Sequence, residues 1–289
     1  MNKTCNYYVT FKTNDTCEYS HVWQDDNLKK IEEKPYDLSI LKKAGVNVLN
    51  ITGGEPLLRE DLSEILKRAK ELGLFIKLST NGILYSEKAR LLGGLVDRLF
   101  FALDYPIERE HDRSRGQECF HQVIRAIELA RELKQGPIIK FTMTRDSILY
   151  LPEMIDLADR LKVWIYLRPV YDFFGSQGFE PATLNHIRYY AQRKNVLVDY
   201  AGLEFLKEGG NKVIFPRCRA KETTITIFPD GKRVSPCFFN QEGRQGREDI
   251  CSSCMRWPYM LPSFTIGLDK YYLLSLYTKY VNWRKGIKL

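Results

Sequence analysis

The first two-thirds of the chain alternates short β-rich runs with stretches of helical periodicity, and this alternation restricts the fold more than any other feature. The predicted strands are 7–12, 47–52, 74–80, 96–103, 137–143 and 163–168. The predicted helices between them are 36–44, 62–72, 87–92, 120–134 and 152–161. Strands that are each followed by a helix run parallel and are joined by right-handed crossovers. Six such units are too few for a closed eight-unit barrel. The sequence therefore predicts an α/β fold, a partial (β/α)6 TIM-like barrel with its site at the carboxyl ends of the strands.

The pattern changes near residue 175. Gly-Ser-Gln-Gly at 175–178 has the composition of a linker, and helices are predicted at 181–194 and 201–208. A hairpin follows, with strands at 223–228 and 232–235 turned by Pro-Asp-Gly at 229–231. We therefore expect a barrel at 1–175 and a second unit at 176–289, made of linker helices, a small β-hairpin domain that binds a metal, and a C-terminal helix.

The C-terminal stretch 268–289 is rich in tyrosine, leucine and lysine. Two interpretations are open. In the first, it is a final helix packed on the body of the protein, with a basic end that suits the helix dipole. In the second, it lies on a membrane surface, since aromatic and basic residues are typical of helices at that interface.

Composition excludes several classes of protein. Apolar residues make up 44% of the 289 residues, which is enough to bury a core and excludes a mainly disordered chain. No run approaches the roughly 18 uncharged apolar residues of a membrane span, and the N-terminus lacks the pattern of a signal peptide, so we expect a cytoplasmic protein. The net charge of +8 mildly favours anionic partners. Basic and acidic residues are interspersed, however, and this disfavours a nucleic-acid partner.

Polar residues follow three successive predicted strands. Gly53-Gly54-Glu55-Pro56 comes after the second strand, Ser79 and Asn81 lie at the end of the third, and Asp104 follows the fourth. The carboxyl ends of parallel strands meet at one edge of a sheet, so these residues predict a ligand site there. The alternative for the two glycines is an ordinary turn that needs them only for its backbone geometry.

The Gly-Gly-Glu-Pro segment at 53–56, set in a frame of six βα units, resembles the radical S-adenosylmethionine (SAM) superfamily. That family carries cysteines spaced C-x3-C-x-aromatic-C after its first strand. Laid on this sequence, the three positions are Thr13, Cys17 and Ser20, with Tyr19 as the aromatic residue. The resemblance covers about residues 5–170.

The resemblance implies SAM as a cofactor and a [4Fe–4S] cluster whose three protein ligands are cysteines. Reductive cleavage of SAM, driven by a low-potential electron donor, then gives a 5′-deoxyadenosyl radical that abstracts a hydrogen atom from a small molecule or peptide. In this chain Cys17 is the one remaining thiol, and hydroxyls are poor ligands for iron in such clusters. We therefore expect an incomplete catalytic cluster and an inactive protein. The chain would then be a variant or a degenerate member of the family.

The resemblance also assigns contacts with SAM. It implies that Gly53, Gly54, Glu55 and Pro56 contact the methionyl group, and that Ser79 and Asn81 contact the ribose. Tyr19 is expected near the adenine, and Asp104 is expected at the same cofactor site.

The other group of cysteines lies near the C-terminus. Cys218, Cys237, Cys251 and Cys254 bracket the predicted hairpin. In a reducing compartment this clustering indicates a metal site, and the spacing allows either zinc or an iron–sulfur cluster. It resembles the auxiliary-cluster domain called Twitch, a shortened SPASM domain, and this resemblance implies one fully ligated [4Fe–4S] cluster. The alternative to a radical SAM enzyme is a non-catalytic binding module stabilised by zinc or carrying a cluster.

Overall fold

The computed structural model describes residues 3–20, 24–170, 180–211, 217–235, 237, 251–252 and 254–287. The linker expected at 175–178 lies outside the described residues. Among them, no helix is both long enough and apolar enough to cross a membrane.

The described strands form one continuous sheet in the order β7-β6-β5-β4-β3-β2-β1-β8-β9. The strands from β1 to β7 run parallel to their neighbours, which confirms the predicted α/β fold with an open, TIM-like parallel sheet. Their bounds are β1 Lys3–Thr10, β2 Val46–Gly53, β3 Phe75–Thr80, β4 Arg98–Ala102, β5 Pro137–Met143, β6 Trp164–Pro169, β7 Val196–Leu197, β8 Thr224–Ile227 and β9 Arg233–Val234.

Helices connect the strands and cover one face of the sheet. Their bounds are α1 Asp26–Lys29, α2 Ser39–Lys43, α3 Leu62–Glu71, α4 Tyr85–Lys88, α5 Glu108–Arg115, α6 Phe120–Glu132, α7 Leu151–Leu161, α8 Pro181–Tyr190, α9 Tyr200–Lys207, α10 Ala220–Thr223, α11 Trp257–Ser263 and α12 Lys270–Arg284. Short 3-10 turns occur at Pro56–Leu58, Ala89–Leu92 and Ser147–Tyr150.

Alternation along the strands decides which side chains meet these helices. On β3, Ile76 and Leu78 are buried in the main core, whereas Lys77 and Ser79 point to the opposite face. Helices α6 and α7 contribute their own buried stripes, such as Val123 and Ile127 on α6. Each such aliphatic side chain contributes about 1.5–3 kcal/mol by leaving water, so this face stabilises the fold. The opposite face buries a smaller apolar cluster that includes Phe100 and Ile138.

Helix α11 shows that the sheet is curved. The Trp257 Nε1 donates to the carbonyl of Pro169 at the end of β6 (2.7 Å), and the Asn6 Nδ2 on β1 donates to the carbonyl of the next residue, Pro258 (3.2 Å). In a flat sheet β1 and β6 would lie about 24 Å apart, five strand spacings, which is more than two adjacent residues can bridge. The sheet therefore curls into a partial barrel, and α11 lies across its open side.

The C-terminal hairpin belongs to the same sheet. Strands β8 and β9 are antiparallel, as predicted, with Gly231 at φ 83° in the turn. Strand β8 also pairs in parallel with β1, from Thr224 opposite Thr4 to Ile227 opposite Tyr7. Because β8 pairs with β1, the parts of the chain before and after residue 175 share one sheet. The division of the chain into two domains at that residue stays a prediction.

Helix α5 and strand β7 are among the elements that have no counterpart in the sequence prediction. Helix α5 has the sequence Glu-Arg-Glu-His-Asp-Arg-Ser-Arg, whose charged residues hide any apolar period. Strand β7 is two residues long and pairs only with the edge of β6 among the described strands. Both depend on tertiary contacts rather than on local patterning, and α5 contributes the central residue of the candidate site.

Candidate functional site

The loop that follows β1 is packed against the end of α5. The backbone N–H groups of Thr16 and Glu18 donate to the carbonyls of Arg115 and Ser114, each at 3.0 Å. The contact is tight, because a Cβ on Gly116 would lie 1.8 Å from the Thr16 hydroxyl oxygen. Gly116 ends α5 with a positive φ of 68°, a conformation that glycine adopts without strain. The two segments are about 100 residues apart in sequence and form one unit here.

Arg115 is the central residue of this unit. Its guanidinium lies 2.7 Å from the Asp104 carboxylate and 3.2 Å from that of Asp15. It also donates to the Tyr19 hydroxyl (3.0 Å), and that hydroxyl donates to the Asp104 Oδ1 (2.6 Å). All four side chains are largely buried, so the charges are held in a low-dielectric setting where pairing is required.

Burial dominates the titration of this cluster. It raises the pKa of Asp104, although the Arg115 cation and the hydrogen bonds from Tyr19 and Arg115 act in the opposite direction. The pKa of Tyr19 lies well above its usual value because of burial, so its hydroxyl keeps its proton at neutral pH. The cluster therefore consists of one guanidinium, two carboxyls and a phenol that acts as a donor.

Cys17 lies in the same loop and is 3% exposed. Burial raises the pKa of its thiol to about 11, so at neutral pH the thiol is protonated. The Thr13 hydroxyl donates to the Asp15 Oδ1 (2.7 Å), and the Ser20 N–H donates to the Cys17 carbonyl (3.1 Å). The three positions thus offer one sulfur and two hydroxyls. This donor set does not fit a [4Fe–4S] cluster held by three thiolates.

Gly53, the last residue of β2, and the following Gly54 are required by close packing of the backbone. The Gly54 N–H donates to the Thr10 carbonyl (2.9 Å), and the Glu55 N–H donates to the Lys12 carbonyl (2.8 Å). A Cβ on Gly53 or Gly54 would lie 2.0 Å from those same carbonyl oxygens. The glycines are needed because the chain beyond β1 runs directly against them, which supports the interpretation of a turn that needs glycine for its geometry.

Glu55 joins the ends of β2 and β3. Its carboxylate accepts hydrogen bonds from the Asn81 N–H (2.7 Å), the Leu57 N–H (2.9 Å) and the Thr80 hydroxyl (2.8 Å). It is 1% exposed, and burial raises its pKa to about 7 despite those donors. Pro56 follows and begins a 3-10 turn. These three hydrogen bonds leave one of the roughly four acceptor sites of the carboxylate for a ligand amino group.

Asn81 connects this edge to the loop after β1. Its Nδ2 donates to the Asn14 Oδ1 (2.7 Å), and its Oδ1 accepts from the Ile83 N–H (3.1 Å). Ser79 is half-buried, and on the sheet it lies beside Phe100 of β4. The structure thus brings Cys17, Tyr19 and Asp104 together. It also brings Glu55 and Asn81 together, and it links the two groups through the loop.

The concave face of the sheet is basic, a feature that the sequence analysis did not identify. Lys140 on β5 and Lys77 on β3 project from the face opposite the core. Burial lowers the pKa of Lys140 to about 7, with Arg168 and Arg115 adding to the effect. Burial and the nearby Arg98 cation lower the pKa of Lys77 to about 8. Lys77 has Asp199 nearby and Lys140 has Asp104, but each lysine also has two cations within electrostatic range. This excess of positive charge favours an anionic ligand on this face.

His111 is a second residue that the sequence analysis did not place in the site. It is fully buried, and its Nδ1 accepts a hydrogen bond from the Asp104 N–H (3.2 Å). Burial and the Arg115 cation lower its pKa to about 3, so it is a neutral imidazole that fixes the backbone at Asp104. The burial of His111 could not be predicted from periodicity, because the histidine lies in a polar helix without an apolar period.

The C-terminal cysteines do not form a complete ligand set in the part of the chain that the structure describes. There, no three side chains of His, Cys, Asp or Glu are arranged to hold a metal ion. Burial, together with the nearby Cys254 and Cys237 thiols, raises the pKa of Cys218 to about 11. The N–H of Cys254 donates to the Cys251 carbonyl (3.3 Å). A metal at these four cysteines stays a prediction, and most of the chain between Cys237 and Cys251 lies outside the described residues.

A cavity of about 400 Å³ opens at the other end of the sheet. Asp97, Arg98 and Trp164, at the amino ends of β4 and β6, are among its lining residues. In barrels of this kind that end serves stability, whereas sites are built at the carboxyl ends. The polar cluster around Arg115 is therefore the better candidate site.

Comparison with known proteins gives a family match over the first half of the chain. The family described as Radical SAM superfamily matches residues 7–161. A protein named Probable GTP 3′,8-cyclase from Methanocaldococcus jannaschii is 26% identical over 258 residues, which is 81% of this chain and 84% of that protein. An AdoMet-dependent heme synthase from Oleidesulfovibrio alaskensis is 32% identical over 122 residues, 41% of this chain and 31% of that protein.

Solved structures share the fold. Streptococcus suis SuiB bound to precursor peptide SuiA matches with a TM-score of 0.67 at 19% identity, over 89% of this chain and 64% of that one. The enzyme anSMEcpe with bound AdoMet matches with a TM-score of 0.62 at 16% identity, over 91% of this chain and 84% of that one. At these identities the likeness establishes the fold.

Proposed function

Because the chain belongs to the radical SAM superfamily, we propose that it binds a ligand at the carboxyl ends of its strands without generating a radical at the loop after β1. One observation carries this proposal. The loop supplies a single buried thiol at Cys17, and Thr13 and Ser20 stand at the other two ligand positions. The ion pairs of Arg115 with Asp15 and Asp104 join that loop to α5 and to the segment after β4.

The proposed SAM contacts lie at one edge of the sheet. Glu55 and the two glycines before it would receive the methionyl group, with Pro56 fixing the turn. Ser79 and Asn81 would contact the ribose. Tyr19 and Asp104 would lie at the adenine side. Support comes from the hydrogen bond of Tyr19 to Asp104 and the hydrogen bonds that join Glu55 to the end of β3.

We further propose that the second ligand is an anionic small molecule. Lys77 within β3 and Lys140 within β5 provide positive charge on the concave face. The relatives named as GTP 3′,8-cyclases act on a nucleotide by name, whereas SuiB was solved with a peptide. The positive charge of these two lysines favours the first kind of ligand, and GTP is the natural first probe.

A metal at the four C-terminal cysteines forms part of the proposal. Cys218 interacts electrostatically with Cys237 and Cys254, which supports a shared site. Four cysteine thiolates suit one auxiliary [4Fe–4S] cluster of the Twitch or SPASM kind, and they equally suit one zinc ion. With zinc the protein would be a non-catalytic binding module. All seven cysteines are free of disulfides, which agrees with a reducing compartment such as the cytoplasm.

The decisive experiment compares this chain with the Thr13→Cys/Ser20→Cys variant, which restores the three-thiol pattern. After anaerobic reconstitution, iron, sulfide and zinc are measured, and 5′-deoxyadenosine is measured after addition of SAM and a low-potential reductant. We expect about four irons, or one zinc, in this chain and about four further irons in the variant. The 5′-deoxyadenosine product is expected from the variant alone. Its formation by the unaltered chain would contradict the proposal.

A further inference from the structure

Helix α12 exposes five of its large apolar and aromatic side chains, whereas Tyr271 and Leu274 pack against the core. Its buried positions are small and polar: Ser275, Thr278 and Asn282. The five outward-facing side chains are 44–65% exposed, and we call them the α12 stripe: Leu273, Leu276, Tyr277, Tyr280 and Trp283. At 100° per residue these five occupy an arc of about 120° on the side away from the buried residues. Leu268, just before the helix, is 99% exposed.

The orientation of α12 is set by its contacts with α9. The Tyr200 N–H donates to the Thr278 hydroxyl (3.0 Å), which places the polar side of α12 against the start of α9. The ring of Tyr271 packs on Phe205 of α9 at 5.6 Å. Near its end, the Lys285 ammonium donates to the Ala191 carbonyl. These contacts at both ends of the helix leave the α12 stripe facing outward.

Charge on α12 has one sign. The helix contains no aspartate or glutamate, and its exposed cations are Lys270, Lys279 and Arg284. Lys270 is paired with Glu208. The Arg284 guanidinium lies 6.0 Å from the centre of the Tyr280 ring, so it is placed within the stripe. The exposed side thus combines apolar and aromatic groups with the positive charge of Arg284 and, at its edge, of Lys279, which also lies within electrostatic range of the buried Asp199.

We propose that the α12 stripe docks on the surface of a lipid bilayer that contains anionic headgroups. Large exposed apolar patches mark interaction sites. Tyrosine and tryptophan favour the interface between headgroups and acyl chains, and lysine and arginine pair with anionic headgroups. A second copy of this chain suits the stripe less well, because a two-fold contact would oppose two helices that carry cations and no acid.

The test is sedimentation of the full chain with vesicles, either of phosphatidylcholine alone or of phosphatidylcholine and phosphatidylglycerol in equal parts. We expect binding to the anionic vesicles to be stronger by about fivefold for each of the two cations, or about 25-fold, and to weaken with salt. The Lys279→Gln/Arg284→Gln variant should bind both kinds of vesicle equally. The Leu276→Ser/Trp283→Ser variant should lose at least about tenfold in binding to the anionic ones.

Controls separate docking from loss of the fold. Leu149→Ser removes an apolar side chain that is 76% exposed elsewhere on the protein, and it should leave vesicle binding unchanged. The emission of Trp283 should shift to the blue with anionic vesicles, and a Trp283→Phe variant should lack the shift. Absence of vesicle binding would overturn the proposal. A dimer in lipid-free solution that the Leu276→Ser/Trp283→Ser variant abolishes would also overturn it, and would assign the stripe to a second copy of the chain.

Discussion

The guanidinium of Arg115 lies 2.7 Å from the carboxylate of Asp104 in the interior of the protein. The two residues come from α5 and from the segment after β4, and the same guanidinium reaches Asp15 in the loop after β1. In this chain an ion-pair cluster therefore joins the elements that surround Cys17. Buried pairs of this kind are costly to break, because removal of one partner leaves the other charge without compensation.

Arg115→Met should lower the free energy of unfolding by about 3–5 kcal/mol, since it leaves Asp104 and Asp15 buried without their cation. Chemical denaturation measures this directly. Arg113→Met is the matched control on the same helix, because its side chain is 65% exposed and pairs with Glu110 at the surface, where a loss of at most about 1 kcal/mol is expected. Equal losses of unfolding free energy in both variants would show that the buried ion pairs of Arg115 stabilise the protein no more than the surface pair of Arg113.

Gly54→Ala should destabilise the fold by about 2–3 kcal/mol, because its Cβ would lie 2.0 Å from the Lys12 carbonyl oxygen. The comparison is Gly93→Ala, where the nearest atom lies at 3.5 Å and φ is −55°. Thermal melting of both variants distinguishes the structural need for glycine from a role in ligand contact alone. A stable Gly54→Ala protein that fails to bind SAM would favour the ligand role.

Binding of an anion such as GTP should weaken as pH rises through about 7, because the pKa of Lys140 is lowered to about 7 and its positive charge is lost above that value. Calorimetric titrations at a series of pH values measure the effect. Lys140→Met should remove this pH dependence, whereas Lys67→Met, at an exposed position on α3, should keep it. An affinity that does not change with pH in the unaltered chain would exclude Lys140 from the site.

Cys251→Ala should lower the metal content of the purified protein and the melting temperature of its C-terminal part, because a metal site couples binding to folding. Metal analysis and a melting curve are the measurements. Cys119→Ala should keep the metal, since this buried cysteine lies between the barrel helices α5 and α6 and away from the C-terminal group. Unchanged metal content in Cys251→Ala would remove this cysteine from the predicted ligand set.

Helices and strands were predictable where the spacing of apolar residues within the segment identifies the face that it buries. Strand β5 has the predicted bounds, and the helices from α6 to α9 lie within a few residues of theirs, because apolar spacing along these segments matches the face that each one buries. Helix α5 was not predictable in this way. It is made of charged residues, and it buries His111, Ser114 and Arg115 against partners that are distant in sequence.

The candidate site was predictable in its location and in part of its membership. Glu55, Asn81 and Asp104 follow parallel strands, and parallel strands end at one edge of a sheet. The cation that neutralises Asp104 was not predictable, because local pattern carries no information about which distant arginine reaches it.

The sequence by itself determined the parallel α/β order and the number of sulfur atoms in the loop after β1, since local periodicity and side-chain chemistry do not depend on the rest of the fold. The tertiary structure decided what surrounds Cys17 and which side of α12 faces outward. Both outcomes result from contacts between residues far apart in the chain, Arg115 with Asp15 in the first case and Tyr200 with Thr278 in the second.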